Sequence, residues 1–253
     1  MAENSKIEWT HNTFNPWWGC VKVSEGCRNC YAETFARRFG VQWGPLAERR
    51  IAGPDTWAAT LKWERKAKRD GTRRRVFCAS MADVFDDRRD LDAARVRLFR
   101  LMQDTPHLDW LVLTKRPENV IALIDGVWID DGFPVNVWLG TTVENQPMAD
   151  RRIAELLKIP CNRHFLSCEP LLGNVNLMPW LGIPQNNSRV DWVICGGESG
   201  PGARPMQTEW ARSLRDQCAN AGVPFFFKQW GGIDKHAAGR VLDGRTWDQF
   251  PLG

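Results

Sequence analysis

Asp109-Trp110-Leu111-Val112-Leu113-Thr114 runs straight into Lys115-Arg116-Pro117, and this junction decides the fold. A short, near-continuous apolar run suits a parallel strand covered on both faces. Pro117 suits a helix start, where its missing N–H costs no hydrogen bond, and the stretch Pro117–Asp125 predicts that helix. The same pattern recurs in both directions along the chain. Strands are predicted at Ile7–Thr10, Arg75–Ser80, Val135–Gly140, Arg163–Ser167, Asp191–Cys195 and Val223–Lys228. Helices are predicted at Tyr31–Phe39, Leu91–Met102, Gln146–Leu157 and Thr208–Ala221, the last capped by Thr208. A strand–helix repeat of roughly thirty residues is the βα pattern of a barrel or doubly wound sheet. No linker or composition break divides the chain. The expectation is an α/β fold, a partial or complete TIM-type (β/α) barrel of six to seven βα units, forming one domain over residues 1–253. The longest gap follows the first strand and holds a cysteine loop at residues 19–31 and an extra helical region.

The totals set wide bounds. A chain of 253 residues with 43% apolar and 25% charged residues buries a sizeable core without help from disulfides or metal. Of its eight cysteines, Cys78, Cys168 and Cys195 fall in or beside apolar runs, where a thiol packs as a small hydrophobe. With no signal peptide and no long apolar span, the expectation is a cytoplasmic protein with no membrane attachment. A net charge of +4 is too mild to require a nucleic-acid partner. Fourteen tryptophans stand against one tyrosine, and Trp17, Trp18 and Trp230 lie in apparent loops where their faces would stack on a planar ligand.

Each strand ends in polar or glycine-rich residues. These are Ser80-Met81-Ala82-Asp83, Thr114-Lys115-Arg116, Thr141-Thr142-Val143-Glu144, Ser167-Cys168-Glu169-Pro170, Gly196-Gly197-Glu198-Ser199-Gly200 and Lys228-Gln229-Trp230-Gly231. In an α/β barrel such positions converge on the face that carries the active site, and the cysteine loop belongs to the same face. Plainer readings exist for each. Gly196-Gly197 suits a tight turn and Glu198 a helix cap; Lys115 and Arg116 suit a solvated loop, and Glu144 and Glu169 suit pairing with those two bases. The basic run Glu64–Arg75 reads first as a solvated helix end and second as a phosphate-contacting surface.

The loop itself reads Gly19-Cys20-Val21-Lys22-Val23-Ser24-Glu25-Gly26-Cys27-Arg28-Asn29-Cys30, a C-x6-C-x2-C spacing. Three clustered thiols are a metal site with one ligand position open. Structural zinc normally takes four protein ligands, and here only one C-x2-C pair is present. A [4Fe–4S] cluster fits better, because a helix starting after Cys30 turns its positive end toward a negative cluster.

This arrangement resembles the radical S-adenosylmethionine enzymes, which place a cysteine triad after the first strand of a βα barrel. More closely, Ile7-Glu8-Trp9-Thr10, Asn15-Pro16, Gly19-Cys20, Gly26-Cys27 and Cys30-Tyr31-Ala32-Glu33 are similar to the three-cysteine-motif phage protein family of uncharacterised function. Leu113-Thr114-Lys115-Arg116-Pro117, Ser167-Cys168-Glu169-Pro170-Leu171, Gly196–Gly200 and Lys228–Gly231 extend the likeness over essentially the whole chain. The resemblance implies that Cys20, Cys27 and Cys30 ligate the cluster, and that its open iron chelates S-adenosylmethionine for reductive cleavage to a 5′-deoxyadenosyl radical. It puts Tyr31 near the adenine, and Ser80, Asp83, Lys115 and Arg116 near the methionine moiety or substrate. Thr142, Glu144, Ser167 and Glu169 fall near the ribose, and Gly196, Gly197, Glu198 and Lys228 complete the cofactor-binding set. No catalytic residue is assigned. The implied partners are an electron donor, a nucleic-acid or nucleotide substrate, and a dedicated protein encoded nearby. Two departures stand out. The usual spacing is C-x3-C-x2-C with an aromatic before the third cysteine, where this chain has Asn29. The glycine-glycine-glutamate element expected after the second strand is replaced by Ser80-Met81-Ala82-Asp83. Two other functions fit the cysteine loop: a nucleic-acid-binding protein with structural zinc, and a zinc hydrolase using Glu198 or Glu169 as base.

Overall fold

The computed structural model describes residues 2–128, 132–182 and 188–251. In chain order its strands are β1 (Ala2–Glu3), β2 (Asn12–Thr13), β3 (Trp17–Trp18), β4 (Arg50–Ile51), β5 (Arg74–Cys78), β6 (Leu108–Thr114), β7 (Val137–Thr142), β8 (Arg163–Cys168), β9 (Val190–Gly196) and β10 (Phe225–Gln229). The α-helices are α1 (Tyr31–Arg37), α2 (Pro54–Arg69), α3 (Asp92–Gln103), α4 (Val120–Ile124), α5 (Gln146–Leu156), α6 (Thr208–Ala221) and α7 (Lys235–Ala238). The main sheet runs β1-β2-β5-β6-β7-β8-β9-β10, with seven strands parallel and β1 antiparallel to β2 at the edge; β3 and β4 form a separate antiparallel ribbon. The fold class is α/β, as the alternation predicts.

The chain divides into two compact units. The first comprises Met1–Lys22, Ala32–Leu139 and Pro160–Asn162; the second comprises Val23–Tyr31, Gly140–Ile159 and Arg163–Gly253. In the first, β6 is buried along nearly its whole length, with Trp110, Leu111 and Val112 inside. Helix α2 starts at Pro54 and turns Trp57, Thr60, Trp63 and Ala67 inward, a spacing that keeps one face of a helix apolar. In the second, the Asn145 side chain accepts a bond from the Met148 amide and so caps α5. Gly222, at φ 66°, closes α6 in the left-handed conformation that glycine adopts most easily.

Several boundaries differ from expectation. Residues 7–10 form a turn, closed by the Thr10 amide on the Ile7 carbonyl at 3.2 Å, and the first parallel strand is Asn12–Thr13. Thr10 causes the shift. Its amide is turned back to Ile7 while its hydroxyl bonds the Arg75 and Asn12 carbonyls; backbone pairing starts with the His11 amide on the Arg75 carbonyl, then Asn12 opposite Val76 and Thr13 opposite Phe77. Strand β7 begins after Val135, which is 74% exposed, and continues through Thr142; Thr141 and Thr142 are therefore strand residues. The stretch after Pro117 opens as a 3-10 turn at Pro117–Asn119 before α4. Thr208 is the first residue of α6, and the cap position belongs to Gln207.

Trp17 is wholly buried, which removes it from the set of ligand-stacking tryptophans. Cys78, Cys168 and Cys195 are buried thiols as expected, and burial pushes all three well above the ordinary thiol value. The basic run is largely spent locally. Arg69 pairs with Asp70 and Arg73 with Asp109, while Arg75 donates to the Trp9 carbonyl. No helix among the described residues is long and apolar enough to cross a membrane.

Candidate cofactor site

In the first unit, Cys20 lies beside a buried charge network. Asp83 accepts four bonds, from the Thr114 hydroxyl (2.7 Å), the Phe85 and Lys115 amides (3.0 Å each) and Arg116 Nη1 (2.9 Å). Arg116 also donates to the Val21 carbonyl at 2.9 Å, stands 3.4 Å from Asp86, and brings Nη1 to 3.8 Å from Cys20 Sγ. Asp86 is shared with buried Arg49 at 2.9 Å. Burial lifts the Cys20 thiol to about 12, with Asp83 and Asp86 adding to the rise and Arg116 opposing it. Burial likewise works against the Arg116 charge, but Asp83, Cys20 and Asp86 together hold it above the ordinary arginine value. Arg116 is therefore no solvated loop charge. Gly19 has a steric reason to be glycine: its φ is +115°, and a Cβ would stand 2.8 Å from Arg49 Cδ. Ser80 accepts from Asn15 Nδ2 at 3.0 Å, and Asn15 Oδ1 accepts from the Met81 amide.

In the second unit, Cys27 ends the 3-10 turn Glu25–Cys27, and Cys30 immediately precedes Tyr31, the half-exposed first residue of α1. This turn is fastened by Arg204, which bonds the Glu25 carboxylate at 2.7 Å and the Glu25 carbonyl at 3.1 Å. Arg204 in turn grips Glu198, whose Oε2 also accepts from Asn29 at 3.0 Å. Burial raises the Glu198 carboxyl, but the bonds from Arg204 and Asn29 outweigh it and hold it below the usual carboxylate range. Glu198 thus secures the cysteine turn and does not cap a helix. Gly197 is explained by backbone contact, since a Cβ there would fall 1.9 Å from the Trp230 carbonyl oxygen. Gly196 precedes it at the end of β9, beside Glu169.

Within each unit the strand-end acids have close basic partners. Glu144 pairs with Arg152 at 2.7 Å and Glu169 with Lys228 at 2.5 Å, while Asp83 takes Arg116. Arg152 also donates to the Thr142 carbonyl. The Gly26 amide points at Glu144 Oε1 from 3.4 Å, and a Cβ on Gly26 would meet that carboxylate at 3.0 Å. Ser167 is buried in β8 and accepts the Val143 amide through its carbonyl. Trp230 is tied by its indole N–H to the Val241 carbonyl.

The residues that sequence reasoning missed are Asn15, Asn29, Arg49, Asp86, Arg152 and Arg204. Asn15 lies in the quoted Asn15-Pro16 pair, and Asn29 occupies the departing motif slot, so both carried a signal. Arg49, Asp86, Arg152 and Arg204 look like ordinary surface charges until burial is known. None of the eight cysteines is joined in a disulfide. Among the described residues, no three His, Cys, Asp or Glu side chains are gathered closely enough to hold a metal ion.

The chain matches the family model described as "Protein of unknown function (DUF5131)" over residues 4–251. Among curated proteins none matches it. Among solved structures it is similar to a spore photoproduct lyase variant with bound AdoMet and dinucleoside spore photoproduct, at 11% identity and TM-score 0.50, covering 84% of this chain and 62% of that one. A second variant, with dinucleoside spore photoproduct, gives 12% identity and TM-score 0.53, with 87% and 64% covered. A third gives 12% identity and TM-score 0.54 at the same coverage. The chain thus spans under two thirds of the length of these three proteins. At such identities the likeness is one of fold, the α/β partial (β/α) barrel. By its family match, the chain belongs to the DUF5131 family.

Proposed function

We propose that this DUF5131 member is a radical S-adenosylmethionine enzyme acting on nucleic acid or a nucleotide. The carrying observation is a segment with three thiols, Cys20, Cys27 and Cys30, in a chain whose fold is that of an AdoMet-binding lyase. The donor set fits a [4Fe–4S] cluster by its chemistry: thiolates are the ligands such a cluster takes, and three leave one iron open. A guanidinium already faces Cys20, which suits an anionic group there. When bound, the cluster and S-adenosylmethionine supply hydrogen abstraction by a carbon radical after one-electron reduction.

The chain's own residues hold and orient. Cys20, Cys27 and Cys30 ligate iron. Arg116 steadies the Cys20 end of the loop through the Val21 carbonyl, and Arg204 steadies the turn before Cys30 through Glu25. Tyr31, Ser80, Asp83, Lys115, Thr142, Glu144, Ser167, Glu169, Gly196, Gly197, Glu198 and Lys228 remain the proposed surround of the cofactor. Glu169 with Lys228 offers a polar pair for ribose or carboxylate groups. The buried acids Asp83, Glu144 and Glu198 act through the bases they hold. An electron donor and a dedicated protein partner belong to the same proposal, as does a cytoplasmic location.

Anaerobic reconstitution tests the metal. The expected product is brown protein with about four irons and four sulfides per chain, lost when the three cysteines are replaced by alanine. Stoichiometric zinc with no visible absorbance overturns the reading.

A further inference from the structure

The ribbon of β3 and β4 presents an aromatic surface that the proposed cofactor chemistry leaves unexplained. Trp17 of the ribbon is sealed inside, whereas Trp18, opposite Arg50, faces the other way. Helix α1 buries Ala32 and Ala36 and carries Phe35 on its flank, with Phe39 just beyond its end. Trp18, Phe35 and Phe39 form a closed triangle of rings with centroids 5.8, 5.7 and 5.0 Å apart. Phe35 is 41% exposed and Phe39 55% exposed. Rings that merely seal a helix would be covered by their neighbours, but Phe35 and Phe39 keep about half their surface in water and Trp18 is only partly covered.

Positive charge stands beside the rings. The Arg50 guanidinium lies 5.9 Å from the Trp18 centroid, and Arg38 follows α1 with its side chain exposed. Glu33 is claimed by Lys22 at 2.7 Å and Arg37 at 2.6 Å, which hold its carboxyl below the ordinary range against the opposing effect of burial. Lys22 and Arg37 thus bring two positive charges to one carboxylate, and Arg38 and Arg50 are two further exposed bases. Aromatic faces beside exposed arginines match bases joined by phosphates, and every base has a face to stack.

We propose that the Trp18–Phe35–Phe39 surface, rimmed by Arg38 and Arg50, binds single-stranded nucleic acid. The bases stack on the rings and the phosphates meet the arginines. The proposal shares only its ligand class with the proposed function, and it requires neither cluster nor S-adenosylmethionine.

Its test uses full-length protein without cluster and a fluorescent single-stranded oligothymidylate, read by anisotropy across a salt series. Wild-type protein binds, and Phe39→Ala weakens binding roughly tenfold, the loss of one stacked base. The Arg38→Glu/Arg50→Glu pair weakens it further and lowers the salt slope by about 0.7 per phosphate contact removed. Both arginines are exposed, so this pair keeps the test valid if Phe39→Ala melts early by circular dichroism. No binding at low salt, or variants that bind like wild type, overturns the proposal. Equal binding of polyglutamate at the same residues also overturns it, in favour of an acidic protein partner. These outcomes are read without radical chemistry, so failure here is distinct from failure of the enzyme assignment.

Discussion

Arg116 Nη1 stands 3.8 Å from Cys20 Sγ while the same guanidinium is held by Asp83 at 2.9 Å. One buried cation therefore links a strand-end carboxylate to the first cysteine of the loop. Removing it leaves buried Asp83 without its cationic partner, while Asp86 keeps Arg49. Arg116→Leu should cost about 3–5 kcal/mol, as breaking a buried pair does, measured by urea unfolding of the metal-free protein. In reconstituted protein, Arg116→Gln should lower the cluster's reduction potential, because a positive charge near the sulfur favours the reduced, more negative state. A potential equal to wild type in a redox titration would refute this electrostatic role.

Glu198 gives a prediction about acid stability. Its folded carboxyl lies below the ordinary value, so the unfolded chain takes up the proton first as pH falls. The stability it contributes is complete above the unfolded value of about 4.3 and is lost as pH drops through the folded value. Glu198→Gln should flatten the melting curve's pH dependence in that acid range. It should also loosen Arg204 from Glu25, so that proteolysis within residues 23–31 becomes faster. An unchanged acid limb would contradict the assignment.

His164 works in the window above. It is buried in β8, with Nε2 3.0 Å from the Ile159 carbonyl, and burial lowers its value despite the opposing influence of Asp191. Stability is then fully present above the unfolded value of about 6.5 and falls as pH drops toward the folded value. Replacing His164 with Gln should remove this part of the slope in thermal melts between neutral pH and the acid limb. A slope unchanged in the variant would assign it to other groups.

Gly197 and Gly173 make a matched pair of tests. A Cβ on Gly197 meets the Trp230 carbonyl oxygen at 1.9 Å, whereas one on Gly173 meets nothing within 4 Å. Gly197→Ala should destabilise by about 1–3 kcal/mol or more through forced backbone movement, and Gly173→Ala should leave the melting temperature nearly unchanged. Equal effects would show that β9 and β10 tolerate more separation than their contact implies.

The fold was legible where apolar runs were unbroken. Asp109–Thr114 is a strand to within one residue, because burial on both faces leaves no place for a competing period. Ile7–Thr10 misled because its backbone closes on itself, the Thr10 amide on the Ile7 carbonyl, and pairing with the next strand starts only at the His11 amide on the Arg75 carbonyl. The site was legible only as residue types. Strand-end acids and glycines were marked, yet the choice of partner was not: Asp83 holds Arg116, and Arg152, in sequence an ordinary charge on α5, turns inward to Glu144. Gly197, one of the expected cofactor-binding residues, has a steric requirement for glycine as well, set by backbone packing against Trp230.

The most direct test of the central claim is 5′-deoxyadenosine release. Anaerobically reconstituted, chemically reduced protein is incubated with S-adenosylmethionine and the products are separated by chromatography. The enzyme assignment predicts 5′-deoxyadenosine with wild-type protein and none with Cys27→Ala. Wild-type protein carrying a full complement of iron and sulfide but releasing no 5′-deoxyadenosine, or releasing no more than the variant, would contradict it.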